Sequence, residues 1–152
     1  MHTPGYFHPA IQNFSQRMIL LIMTCFIGWT DSLSLNLSNI KTAKGQLYVA
    51  VYDQKSAFLN VSKAYLKQTF PITQTGKQSF MLPKLAPGNY AICCFQDLNG
   101  NNQLDTNFFG VPTEPYGFSK NAHSKFRAPY WEEVCINITK DSKSVEINIA
   151  SW

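Results

Sequence analysis

Charge is what this chain has least of. Only 14% of its 152 residues are Asp, Glu, Lys or Arg, against 45% apolar and 14% aromatic. A disordered polypeptide shows the opposite balance, so the composition is that of a folded chain. The length fits one domain once a leader is set aside. The formal charge is only +4, and the lysines (41, 44, 55, 63, 67, 77, 84, 120, 125, 140 and 143) are scattered. Nucleic-acid recognition needs basic groups gathered on one face or groove, so no nucleic-acid partner is expected. Histidine is scarcer still: His2, His8 and His123. The first two fall in the N-terminal segment, and His123 alone reads as a solvated loop residue, because a base or ligand needs positioned partners. No Cys–His or Ser–His–Asp constellation follows from the spacing. Ser119 comes after Tyr-Gly-Phe and not in a nucleophile elbow. No glycine-rich phosphate loop, internal repeat or low-complexity tract is present.

Long apolar runs are also missing. The main apolar stretch, the uncharged residues 18–29, is shorter than the roughly 20 residues that cross a bilayer comfortably. Arg17 precedes it, and Ser32 and Ser34 follow at the −3 and −1 spacing of signal-peptide cleavage. Residues 1–34 therefore read as a signal peptide or N-terminal anchor and residues 35–152 as the domain, exported to the periplasm or the medium. No Lys or Arg stands ahead of Arg17, so the uncleaved anchor stays open as the alternative, and with it a membrane relation through this segment alone. A lipoprotein reading at Cys25 is weaker, since Thr24 suits the modification poorly and the apolar run continues past it.

Period-two alternation of apolar and polar residues marks half-buried strands. It runs through 33–40 and 45–53, returns at 63–70 (where Pro71 cuts short any helix), and continues at 78–82. Pro87-Gly88 fits a type II turn leading into an apolar strand over 91–95. The last strands are expected at 134–139 and 145–149, joined by a polar turn at 140–143. About seven short strands indicate an all-β, single-domain antiparallel β-sandwich. Phe58 and Leu59 are expected to fold back onto the sheet. Residues 107–130 lack periodicity and read as one long ordered loop, a class that is usually functional. Its aromatics, Phe108, Phe109, Tyr116, Phe118, Phe126, Tyr130 and Trp131, imply packing. Tyr116, Phe118, Tyr130 and Trp131 in particular are expected against the sheet, because four such rings left in water make a patch larger than monomers tolerate.

The chemistry concentrates in residues 97–105. Asp97, Asn99, Asn101 and Asp105 place short oxygen-bearing side chains at positions 1, 3, 5 and 9, with Gln103 at position 7, the spacing with which a calcium loop turns its ligands toward one Ca2+. Gln103 would contribute its carbonyl, and Leu104 the apolar anchor. Position 6 is Asn102 in place of Gly, a residue that tolerates a left-handed backbone. Position 12 is Phe108, so the missing acid must come from Glu114, or from Glu132 or Glu133. The competing reading is a polar turn that satisfies itself. Both stand at this point. The same acids could instead serve a hydrolase, where two carboxylates about 5–9 Å apart catalyse glycoside hydrolysis, but Asn oxygens ligate hard cations and do not shuttle protons.

Cysteines outside the leader are Cys93, Cys94 and Cys135. Neighbours on a strand face opposite ways, so with Tyr90, Ile92 and Cys94 toward the core on one strand and Val134, Ile136 and Ile138 on another, Cys93 and Cys135 point outward and form the candidate disulfide of an exported protein. Cys94 remains as a small buried hydrophobe. Three reduced thiols are the alternative.

Pro87-Gly88-x-Tyr90, Asp97-x-Asn99-Gly100-Asn101, Leu104-Asp105-Thr106-Asn107, Gly110-x-Pro112, Tyr116-Gly117-Phe118-Ser119, Pro129 and Glu132 follow in an order and spacing that resembles an exported bacterial family, the domain of unknown function number 2141. The resemblance covers about residues 33–150, with Pro115 where the family usually shows Gly. It implies an exported, prealbumin-like or regulatory-type β-sandwich and implies no known activity. The functional expectation is a non-enzymatic exported module with a weak calcium loop at 97–105. The alternative is a metal-dependent hydrolase or a carbohydrate-binding module using the acidic loop.

Overall fold

The computed structural model describes residues 32–123 and 127–150. The expectations for the apolar run and for Phe126 lie outside the described residues. β1 (Ser32–Ile40) and β2 (Gln46–Tyr52) form where the alternation is cleanest. Leu33, Leu35 and Leu37 of β1 and Leu47, Val49 and Val51 of β2 are buried, as expected when successive side chains turn to opposite faces. β1 begins ahead of the expected cleavage point at Ser34, and its Leu33 is a core residue. After two short 3-10 turns, β3 (Leu66–Pro71) turns Leu66, Gln68 and Phe70 inward and leaves Lys67, Thr69 and Pro71 exposed. β4 (Gly76–Pro83) and β5 (Gly88–Asp97) follow. Tyr90, Ile92, Cys94 and Gln96 of β5 face the core. β6 (Tyr116–Phe118), the short helix α1 (Trp131–Val134), β7 (Ile136–Ile138) and β8 (Ser144–Asn148) complete the chain.

The strands form two facing sheets, so the fold is the all-β sandwich the alternation indicates. One sheet runs β4-β1-β8; the other runs β3-β2-β5-β6, with β7 paired to the first residues of β5. Every pair is antiparallel except β1–β8, which is parallel with Leu35 opposite Val145. The reason is the path of the chain. β7 runs back along β5, and residues 139–143 then cross to the other sheet and enter β8 beside the start of β1, where Ser34 N donates to the Lys143 carbonyl at 2.8 Å. Tyr116 and Ala150 exchange backbone hydrogen bonds of 3.0 Å in both directions, which stitches β6 to the segment after β8 and closes one edge of the sandwich. Gly117 makes this approach possible: a Cβ there would lie 2.6 Å from Ile147 Cγ2. At the opposite edge Phe70 and Phe80 pack ring to ring, 5.1 Å between centroids.

Several local expectations are corrected. β6 lies inside the stretch read as loop; its three residues carry no alternation, and their extended state comes from pairing with β5 and Ala150. Residues 131–134 are helical, because the Glu133 carboxylate accepts the Tyr130 N–H at 2.6 Å and Cys135 N closes the turn on the Trp131 carbonyl at 2.8 Å. Phe58 packs edge-on against Tyr52 and Trp131, whereas Leu59 is exposed. Phe118 is buried and Tyr116 and Trp131 are half-buried, but Tyr130 is exposed, held under the Arg127 guanidinium 4.0 Å from its ring centre.

Cys93, Cys94 and Cys135 are free thiols, so the Cys93–Cys135 bridge is not formed. Continuing the β5–β7 register from Tyr90↔Ile136 sets Cys135 opposite Ala91, leaving Cys93 on the diagonal. Diagonal pairs stand about 7–8 Å apart, beyond the Cα separation of about 4.4–6.8 Å that a disulfide spans. Cys94 is the buried apolar residue expected. Unfolding without reductant should expose Cys93, Cys94 and Cys135 to iodoacetamide, all three singly alkylated in the peptide map; a Cys93–Cys135 cross-linked peptide would contradict this register.

Candidate functional site

The chain leaves β5 at Asp97 and returns in β6 at Tyr116, and the excursion between them gathers the acidic and amide side chains. Its base is anchored first. Gln96, fully buried, donates from Nε2 to the Thr42 and Lys44 carbonyls, both at 2.8 Å. Gly45, at φ +74°, lies so close to the Asp97 carbonyl that a Cβ would stand 1.9 Å from its oxygen. Only glycine allows both the left-handed backbone and this approach.

Asp97 itself is 1% exposed. Its Oδ1 accepts the Asn99 N–H at 3.2 Å and the Gly100 N–H at 2.7 Å, and its Oδ2 accepts the Asn102 N–H at 2.8 Å. Gly100 and Asn102 adopt φ of +82° and +65°, which turns successive N–H groups inward. The turn then continues by the same device: Asn99 Oδ1 accepts Asn101 N at 3.0 Å, and Asn101 Oδ1 accepts Gln103 N at 2.9 Å. Asn99 and Asn101 both direct their amide nitrogens at Asp105, 2.5 Å to Oδ2 and 2.7 Å to Oδ1. Glu114, 4% exposed, crosses beneath the loop, its Oε1 accepting Leu98 N at 2.7 Å and its Oε2 accepting Asp105 N at 3.2 Å. From the sheet face, the Tyr48 hydroxyl donates to Asn102 Oδ1 while its ring stacks on Phe95, centroids 5.1 Å apart.

The structure thus brings Asp97, Asn99, Asn101, Asp105 and Glu114 into one hydrogen-bonded unit, with Gln103 joined through its N–H. It does not bring Glu132 or Glu133 there. Both sit near the start of β5, where Lys55 pairs with Glu132 at 2.5 Å and Arg127 grips Glu133 at 2.7 and 2.9 Å. The Arg127 guanidinium, helped by the Tyr130 N–H, holds the Glu133 carboxyl down to about 2. Among the described residues, no group of three or more His, Cys, Asp or Glu is arranged to hold a metal. Sequence reasoning missed the Tyr48–Asn102 bond, since nothing local links residues 54 positions apart.

Two opposing effects act on Asp97. Burial raises its carboxyl, and the backbone N–H groups of Asn102, Gly100, Asn99 and Asn101 together draw it down, for a net position below the ordinary 3.8. The cysteines go the other way: burial pushes Cys94 up to about 12, and burial with the neighbouring Cys94 pushes Cys93 higher still. Neither is a thiolate near neutral pH, the form a nucleophile needs. His123 is exposed, as expected of a solvated loop residue.

The geometry defines a small all-β sandwich whose most elaborate polar feature is one loop locked on its own carboxylates. The chain belongs to the family described as "Uncharacterized protein conserved in bacteria (DUF2141)", whose model matches residues 35–146. No curated protein and no solved structure matches it.

The depressed Asp97 carboxyl fixes a pH dependence. The folded state favours the ionised form, so this stabilisation is complete above the ordinary carboxyl value and is lost as the pH falls through 3.8 toward the lower folded value. Asp97→Asn turns an amide N–H2 against one of the three backbone donors and should cost about 1–3 kcal/mol at neutral pH. Thermal melting between about pH 6 and pH 2 should show a shallower acid decline in the variant than in the parent; parallel curves would remove Asp97 from this role.

Proposed function

We propose that this protein is an exported, non-enzymatic β-sandwich module whose 97–115 excursion is a self-locked presentation loop. The observation that carries the reading is the commitment of its carboxylates. Both oxygens of Asp97 and both of Glu114 are occupied by backbone N–H groups, and both residues are buried. A general acid or base has to reach a substrate atom within hydrogen-bond distance, and these two are turned into the loop. The hydrolase alternative therefore has no carboxylate pair free to serve it at this site. A flat carbohydrate platform is likewise disfavoured, because Tyr48 and Phe95 beside the loop stack on one another and Phe108 and Phe109 at its apex meet edge-on, with no shared plane.

A weak calcium site is the second reading, favoured by one observation: Asn99 and Asn101 both reach Asp105, so positions 3, 5 and 9 of the loop gather on the same side. Ca2+ would have to compete with donors already in place, which suits the weak range of extracellular modules, about 10⁻⁴–10⁻³ M. The two readings separate cleanly. On the self-locked reading, the melting temperature is the same in millimolar calcium and in chelator, and Glu114→Gln lowers stability by about 1–3 kcal/mol in both. A calcium-dependent rise of the parent that is absent from Asp97→Ala/Asp105→Ala would establish the cation site instead, with about 1–3 kcal/mol added when calcium exceeds its dissociation constant ten- to a hundredfold.

Export rests on Arg17 and the apolar run 18–29. N-terminal sequencing of the chain recovered outside the cytoplasm should return a residue between Trp29 and Leu35. A start at Met1 would indicate a retained anchor, and a start well inside β1 would contradict the strand's place in the core.

A further inference from the structure

The loop's apex carries the most exposed apolar side chains among the described residues: Phe108 is 97% and Phe109 85% exposed. Their packing was expected from the sequence, and it does not occur. The rings meet each other edge-on, 5.5 Å between centroids. Yet the apex is tightly built. Asn107 Oδ1 accepts the N–H of Phe109 at 2.9 Å and of Val111 at 3.0 Å, and Asn107 N donates to the Val111 carbonyl at 2.8 Å. Gly110, at φ +76°, closes the turn on the Asn107 carbonyl at 2.9 Å. Below it Thr106 bridges Pro112, and Thr113 N donates to the Asp105 carbonyl at 2.8 Å. The two rings are thus held in water by a loop that is itself fastened to buried Asp97 and Glu114. Exposed apolar groups of this kind mark interaction sites.

The surroundings select the partner. Two Phe side chains offer at most about 300–500 Å², short of the roughly 800 Å² per side that a stable protein interface buries. A lipid interface has no such minimum and needs no complementary pocket. The same end of the sandwich carries exposed lysines: Lys41 and Lys44 in the β1–β2 turn and Lys77 at the start of β4, placed there by the pairings Ile40↔Gly76 and Gln46↔Asp97. Its acids are turned away: Asp97 and Glu114 are buried, and Asp105 is capped by two Asn amides. We propose that Phe108 and Phe109 are a membrane-insertion tip, seating the loop end of the sandwich on a lipid surface with anionic headgroups beneath Lys41, Lys44 and Lys77.

The test uses the full chain with phosphatidylcholine vesicles, with and without phosphatidylglycerol. Phe108→Trp places an indole at the tip, and brominated lipid should quench it beyond the parent's own tryptophans, more so with phosphatidylglycerol. Phe108→Ser/Phe109→Ser should weaken vesicle partitioning about tenfold or more with an unchanged melting curve, and Lys41→Gln/Lys44→Gln/Lys77→Gln should remove only the preference for phosphatidylglycerol, about fivefold per lysine. The apolar run 18–29 is common to all variants, and the quenching reads the tip even where that run alone holds the chain on the vesicle. An indole at position 108 that stays unquenched on bound vesicles overturns the proposal. So does a dimer, seen by sedimentation, that the double serine variant disperses, which would give the tip to a second copy of the chain.

Discussion

A carboxylate taken out of water has to be met by donors on all sides, or it costs several kcal/mol. Asp97 is that carboxylate here, and much of the molecule's functional end is arranged by its needs. It stands at the last position of β5, the strand that pairs with β2, β6 and β7. The three N–H groups that reach it come from the next five residues, so the chain must curl at once and adopt positive φ at Gly100 and Asn102. That curl sets where Asn99 and Asn101 point, where Asp105 falls, and where the chain starts its reach toward Phe108.

Glu114 does the complementary work from the returning limb. By accepting N–H groups from both Leu98 and Asp105 it ties the two limbs together, just before Gln96 N donates to the Pro115 carbonyl at 2.8 Å and β6 begins. The edge then closes through Tyr116 and Ala150. Loop and fold are in this sense one construction: the sandwich edge is sealed only because the excursion returns to the right place. Hydrogen bonds to charged acceptors are about twice as strong as neutral ones, which lets a loop of mostly small polar residues stay ordered with almost no core of its own.

The opposite end of the sandwich is built differently. There Tyr52, Phe58, Phe118, Trp131 and Val134 form a second apolar cluster, and the acids Glu132 and Glu133 are spent on Lys55 and Arg127 at the surface. Exposed pairs of this type contribute little; their consequence is to fix α1 and hold Tyr130 under a guanidinium. The two ends therefore divide the acids. One set is buried and builds a protruding loop, and the other is exposed and trims a helix turn.

Alternation was enough to determine the sheet class, the inward faces of β1, β2, β3 and β5, and the burial of Cys94, because a pleated strand transmits period two directly into burial. Spacing alone also grouped Asp97, Asn99, Asn101 and Asp105, since Asx side chains act on backbone only a few residues away, but it left Glu114, Glu132 and Glu133 as alternatives, and only the fold brings Glu114 to the loop. What tertiary structure alone decided were matters of register and of distant contact. The parallel β1–β8 pair, the three-residue β6, and the diagonal offset that separates Cys93 from Cys135 all depend on which strands lie beside one another, and no local pattern carries that. The exposure of Phe108 and Phe109 belongs with them. Composition says that aromatic rings prefer burial, but the hydrogen bonds of Asn107 and the anchoring of Asp97 and Glu114 hold these two beyond the reach of any core.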